Sequence, residues 1–303
     1  MTEPITAEPE QRTYTPVEGE LIEPSANQGL LEVFRRRYLL RLLVKRELSA
    51  RYEGSFLGFV WSYINPLSQF FIYWFVMGKI MGNHKSIPDY PIHIFSALIV
   101  VHFFTETFGA GTRSIVRNKA LVNKMAMPRE MFPVAAMLVS LAHVGPQLVI
   151  LLFVCLLSGW TPEPMTMVAL LLALAIAMVL GTALALLFSV ANVFFRDFGS
   201  FVGILTNYVR FGVPMIYTYE MIHDNLSPVG QAIYMANPIA DAVLLMQRAF
   251  WVPSVDDPKL RAQLLMPENQ FGQALLALLS CVVLLVIAQL VFNKFEKKIP
   301  ERL

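Results

Sequence analysis

At 303 residues, 56% of them apolar and only 15% charged, the chain has too little polar surface for a soluble domain, in which about a quarter of residues are charged. The net charge of +2 hides an acidic start and several basic clusters, separated by long uncharged runs. Cys155 and Cys281 each stand in an apolar run without a CxxC partner, which excludes a disulfide framework or a cysteine zinc site.

Residues 1–29 hold Pro4, Pro9, Pro16, Pro24 and six glutamates with little apolar content, a composition that does not repay the entropy of ordering and predicts a disordered cytoplasmic tail. No basic, apolar and small-residue series of a removable signal peptide is found there, so the first span is expected to act as its own insertion signal. From 30 to 52, Leu31, Phe34, Tyr38 and Leu42 recur three to four residues apart among seven basic side chains, the pattern of an amphipathic helix lying on the inner leaflet.

A membrane helix needs about 20 mostly apolar residues, at 1.5 Å of rise each against a hydrocarbon core near 30 Å. Six stretches meet this, at about 56–78, 90–112, 131–158, 166–195, 198–219 and 271–293, so 53–303 reads as one all-α membrane domain of six transmembrane helices. Barrel strands are excluded because polar residues do not alternate along these runs. Lysine and arginine concentrate before span one, between spans two and three (Arg113, Arg117, Lys119, Lys124, Arg129), at Arg196 between spans four and five, and after span six. That bias puts both termini in the cytoplasm of a multi-pass plasma-membrane (inner-membrane) protein. The outer segment from 220 to 270, broken by Pro228, Pro238, Pro253, Pro258 and Pro267, predicts short extracellular helices dipping into the outer leaflet.

Catalytic patterns are missing. No GxxxxGK[ST] phosphate loop, HExxH, GxSxG or DxD pair appears, and the five histidines are scattered, so neither an enzyme nor a metal site is expected. Glu106 in span two and Arg210 in span five are the intramembrane charges. They either pair inside the bundle or face water, in a structural or a transport role, at a cost of about 2.5–3.5 kcal/mol at mid-bilayer that falls near the interface. In span one, Phe56, Phe59, Tyr63, Phe70 and Trp74 form one helical stripe, and Trp61, Ser62, Asn65, Ser68 and Gln69 the opposite, wetter one.

The run Arg46-Glu47-Leu48 with Arg51-Tyr52, then Leu57-Gly58, Trp61 and Pro66, resembles the opening of polysaccharide-type ABC-2 permeases. Arg117-Asn118 with Leu121, Phe195-Arg196-Asp197, Pro214 with Ile216-Tyr217, and Asn237-Pro238 ahead of Arg248 extend the resemblance from Leu30 to the C-terminus. Val213 departs from it where a serine is common. The likeness is to the Wzm-type subunits that export O-antigen, teichoic acid or capsule, and most to those handling lipid-linked galactan of the actinobacterial cell wall.

The resemblance implies six spans, a surface helix before the first and gate helices before the last. It also implies a homodimer bound to two copies of a soluble ABC ATPase, which supplies the ATP and Mg chemistry; no cofactor is expected in this chain and no nucleic-acid partner. In the loop between spans two and three it implies a coupling helix, in which Arg117, Asn118, Leu121, Val122 and Met125 meet the ATPase; the alternative is a basic loop on anionic lipid. For a sugar polymer, Trp61, Asn65, Ser68 and Gln69 are expected to line the path, with Tyr208 and Tyr217 opposite; equally, these polar groups bond neighbouring helices. A secondary carrier, or a membrane enzyme acting on lipid-linked sugars, is the competing class.

Overall fold

The computed structural model describes residues 29–125, 127–160, 164–255 and 257–303, so the acidic tail expected at 1–29 lies, except for Gly29, outside the described residues. All regular elements among them are helices. α1 (Gly29–Arg35) and α2 (Arg37–Tyr52) form the amphipathic segment. Leu31, Phe34, Tyr38 and Leu42 are exposed, as expected of a face meant for lipid, while Val33, Leu40 and Leu43 dock on the bundle. The segment therefore has a second, narrower apolar face.

α3 (Trp61–Ile72) passes without a break into a π-helical turn over Tyr73–Ile80. Pro66 is inside α3 and buried. Gly78 lets the next helix approach: a Cβ there would lie 3.1 Å from the Tyr90 ring. α4 (Tyr90–Arg117) is the axis of the molecule, with 20 of its 28 residues buried. A short α5 (Lys119–Lys124) leads to α6 (Met131–Leu157), which stops where Gly159 takes a φ of 75°. There the Trp160 and Gly159 amides cap the carbonyls of Cys155 and Leu156, a Schellman arrangement. α7 (Pro164–Phe194) lies along α4 through small residues, since a Cβ on Gly111 would fall 2.4 Å from that of Ala185.

α8 (Phe198–Phe211) departs from expectation: its 14 residues span about 21 Å, short of a hydrocarbon core near 30 Å, so 198–219 is not one continuous helix. Gly212 and Pro214 end it, the proline lacking an N–H and restricting Val213 before it. α9 (Tyr219–Asn225) and α10 (Pro228–Met235) follow as short helices, then α11 (Pro238–Ser254). The segment 220–270, expected as short outer helices, also holds α11, which has 13 of its 17 residues buried and packs against α4 and α7. Its start is set by Asn237, whose side chain accepts the Ile239 amide, with Pro238 in the first turn. α12 (Pro258–Gln263), α13 (Gln270–Glu296) and α14 (Ile299–Arg302) complete the chain.

Among the described residues, α4, α6, α7 and α13 are long and apolar enough to cross a membrane, and α10 with α11, bent by 86°, counts as a fifth crossing if taken as one broken span. α13 turns most of its surface outward through Leu275, Leu276, Leu279 and Leu290, a face suited to lipid.

Candidate functional site: a polar face of α4 at the basic end

His102, Glu106, Ala110, Arg113 and Arg117 follow one another along α4 at intervals of four, four, three and four, so they share one face. The four polar ones each meet a partner from another element. The end of α2 brings Arg51, whose guanidinium is 2.5 Å from the Glu106 carboxylate and 2.7 Å from His143 Nδ1 on α6. An arginine only donates, so Nδ1 accepts and the ring proton sits on Nε2, where Tyr52 Oη accepts it at 3.0 Å. The Tyr52 hydroxyl in turn donates to Ser62 Oγ on α3. Gln147, one turn along α6 from His143, bonds the His143 carbonyl at 3.1 Å and His102 Nδ1 at 3.2 Å.

These groups wall a cavity of about 380 Å³, closed on its other side by Trp61, Ser62, Asn65, Pro66, Ser68 and Gln69 of α3. The wetter stripe of α3 thus faces the charged face of α4. The arrangement offers donors and acceptors on all sides beside one indole, which suits a hydroxyl-rich ligand with apolar C–H faces. Of the two serines in the lining, Ser62 is bonded to Tyr52 and Ser68 donates to the Asn65 carbonyl at 2.9 Å.

A second cavity, about 320 Å³, lies one turn toward the basic end between α2, α4 and α6. There Asn118 is buried and bridges α2, accepting from Arg46 at 3.1 Å and donating to Glu47 at 3.1 Å, while Arg117 pairs with Glu47. The Lys119 ammonium also reaches the Leu303 oxygen at the end of the chain. A third cavity, about 490 Å³, is lined by Arg113, Val116, Arg117, Asn192, Arg196, Gly199 and Ser200.

A family model for ABC-2 type transporters matches residues 38–251, which include α2, α4, α6 and every helix lining these cavities. The chain belongs to the ABC-2 type transporter family. It is 29% identical over 229 residues to the O-antigen export system permease protein RfbA of Myxococcus xanthus, covering 75% of this chain and 85% of that one. An RfbA of Klebsiella pneumoniae is also 29% identical, over 70% of this chain and 80% of its own. The polysialic acid transport protein KpsM of Escherichia coli is 24% identical over 54% of this chain and 63% of its own.

In this ABC-2 chain the motif residues have visible structural tasks. Arg46, Arg51 and Tyr52 fasten α2 to α4, α5 and α6. Gly58, with a φ of 49°, turns the chain between α2 and α3. Pro66 and Trp61 line the cavity, and Arg196 lines the third one. Asp197 precedes α8 without a side-chain cap, and Asn237 and Pro238 start α11.

The structure separates residues that the sequence grouped. Tyr208 is exposed on α8, and Tyr217 bonds the Phe211 carbonyl at 2.8 Å and Tyr234 at 3.1 Å, so neither reaches the cavity of Asn65 and Ser68. Glu106 and Arg210 do not pair: Arg51 takes the carboxylate, and Arg210 makes no ion pair among the described residues. Of the apolar coupling residues, Val122 is buried and points into the molecule, because α5 packs one side of its short helix on α4; Met125 is exposed and Leu121 half-buried. Arg117 and Asn118 are engaged with α2.

His102, His143 and Gln147 were missed as site residues. The signal was present as two polar pairs spaced four apart, His102 with Glu106 and His143 with Gln147, in two otherwise apolar runs. A count of scattered histidines conceals it.

Proposed function

We propose that this chain is the permease subunit of an ABC transporter that exports a lipid-linked polysaccharide, an O-antigen-like polymer or a cell-wall galactan, across the plasma membrane. The observation that carries the reading is the cavity at which Trp61, Asn65, Ser68 and Gln69 face His102, Glu106 and His143, in a chain whose relatives are named for O-antigen export and polysialic acid transport. Hydroxyl-rich sugar units are held there by many exchangeable hydrogen bonds beside an indole, which permits passage without one tight site. Such a polymer path is wider than one bundle of this size encloses, so two copies face each other, with α3 and α8 flanking the opening and Tyr208 and Tyr217 contributing from α8 and beyond.

In this reading the basic end is cytoplasmic, as the distribution of lysine and arginine requires. The first span is α3 with its π-helical continuation, α4, α6 and α7 are the second to fourth, α8 with the buried segment behind it is the fifth, and α13 is the sixth. α9 and α10 form the outer gate. Two copies of a separate soluble ATPase bind Mg and ATP and dock against α5 through Leu121 and Met125, with Arg117 and Asn118 passing the displacement to α2.

Purification of the tagged permease from its native membrane, with quantitation of bound proteins, tests the assembly, and depletion in cells tests the cargo. Expected are an ABC ATPase in equal amount and lipid-linked glycan accumulating on the inner face. A permease that purifies alone and whose depletion leaves surface polysaccharide unchanged refutes the proposal.

A further inference from the structure

Arg113 and Arg117 close the polar face of α4, and the turn between α7 and α8 adds Arg196 to the same cavity of about 490 Å³. Three guanidiniums line it and no carboxylate does. Glu47 compensates Arg117, which leaves Arg113 and Arg196 as the guanidiniums of this cavity without an ion pair among the described residues; Asp197, next to Arg196 in sequence, does not pair with it. Arg113 is held in place by a bond of 3.1 Å to the Gly199 carbonyl, and Gly199 in turn donates to the buried Asn192 at 3.0 Å. The Arg196 side chain makes no hydrogen bond or ion pair among the described residues. The Ser200 hydroxyl and the first turn of α8 complete the wall, on the positive end of that helix.

What adjoins the arginines is apolar and open. Phe195, at 68% exposure, stands beside them, and Phe201, Ile204, Tyr208 and Phe211 continue from it along the outward face of α8 at spacings of three and four. A headgroup held by guanidiniums and a hydrocarbon chain laid along aromatic and aliphatic side chains is the complement of this surface. A soluble anion would use only the guanidiniums and leave the apolar stripe along α8 unused.

We propose that Arg113, Arg117, Arg196 and Ser200 form a binding site for the phosphate of a membrane lipid, with the lipid chain following α8. Guanidiniums bind phosphate oxygens in a planar, two-bond geometry that lysine does not offer. The phosphate belongs either to bulk anionic phospholipid or to the carrier lipid of the exported glycan. The second source rests on the function proposed above; the site itself does not.

The test is lipid binding to the purified full-length permease in neutral detergent, read by native mass spectrometry and competition. The probes are a prenyl pyrophosphate, the prenol of the same chain length, phosphatidylglycerol and inorganic pyrophosphate. The prenyl pyrophosphate is expected to bind about tenfold more tightly than the prenol, as one or two charge-assisted hydrogen bonds require. Arg196→Gln, which breaks no hydrogen bond or ion pair among the described residues, is expected to remove that advantage, and Arg196→Lys to restore part of it. Phosphatidylglycerol bound as tightly as the pyrophosphate, with the same loss in Arg196→Gln, supports the site and names bulk lipid as its occupant; weaker binding names the carrier lipid. Equal binding of prenol and pyrophosphate overturns the proposal, as does unchanged binding in Arg196→Gln. Inorganic pyrophosphate competing as well as the lipid reduces the site to one for free anions and overturns the lipid assignment. Loss of copurified ATPase in Arg196→Gln with lipid binding intact overturns it in favour of a partner surface. Phosphate-dependent binding in a protein whose depletion leaves polysaccharide export intact sinks the export function and leaves this site standing.

Discussion

Glu106→Gln is the sharpest probe of the polar face of α4, because it keeps the shape of the side chain and removes its charge. The carboxylate is 12% exposed and holds Arg51 at 2.5 Å, whereas Arg51 is 43% exposed. Breaking a fully buried pair costs about 3–5 kcal/mol, and an exposed pair is worth about 0–1 kcal/mol. Here one partner is shielded and the other, once released, regains water. The loss is then close to that of one hydrogen bond to a charged group, about 2 kcal/mol, or roughly a thirtyfold shift in the folding equilibrium. Reversible unfolding in mixed micelles of the wild type, Glu106→Gln, Arg51→Gln and the double variant isolates the pair. Coupling of about 1–2 kcal/mol is expected, lowered from the single-variant loss because Arg51 also serves His143. If the two single effects add to within about 0.5 kcal/mol, the contact between α2 and α4 stores no stability and the account of this site is wrong.

The remaining predictions concern packing and faces. Gly111→Ala places a methyl 2.4 Å from that of Ala185 and is expected to destabilise by about 1–3 kcal/mol, with Ala185→Gly in the same chain recovering most of it; melting in detergent decides. Leu121→Asp with Met125→Asp is expected to abolish ATPase copurification from an inserted, monodisperse permease, whereas Val122→Asp, at a buried position, is expected to lower the yield of folded protein instead. Single cysteines at Asn65 and Ser68 are expected to react with a water-soluble maleimide in membranes, and one at the exposed apolar position Phe71 to remain unlabelled; the opposite pattern means that the α3 stripes have been assigned to the wrong solvents.

The sequence displays long helices and their faces because both follow from short-range regularities. Twenty apolar residues demand a helix in lipid, and the polar stripe of α3 is visible at 100° per residue. The same reading overextends α8, because apolarity continues through Gly212 and Pro214 although helical geometry does not. It does not find the burial of α11 either: the prolines from 228 to 267 suggest short outer helices, while Ala240, Ala242, Leu245 and Ala249 provide the small and aliphatic surface that α4 and α7 bury. Hydropathy alone does not distinguish a helix hidden in protein from one lying at the membrane surface.

The partner of each polar group is a further step that periodicity does not reach. Glu106 and Arg210 stand out as charges in apolar runs, which invites pairing them, yet the guanidinium on Glu106 comes from Arg51, on a helix whose pattern places it along the inner leaflet. The Arg46-Glu47-Leu48-x-x-Arg51-Tyr52 run explains itself only once its neighbours are in place. Glu47 and Arg51 are one turn apart on the same side of α2, about 6 Å along the axis. Glu47 holds Asn118 and Arg117 at the loop that carries α5, and Arg51 with Tyr52 holds Glu106 and His143 at the cavity. A displacement of α5 therefore has two routes to the cavity wall, along α4 itself and through a single turn of α2. The second route accounts for why a surface helix carries four side chains, Arg46, Glu47, Arg51 and Tyr52, bonded to the bundle.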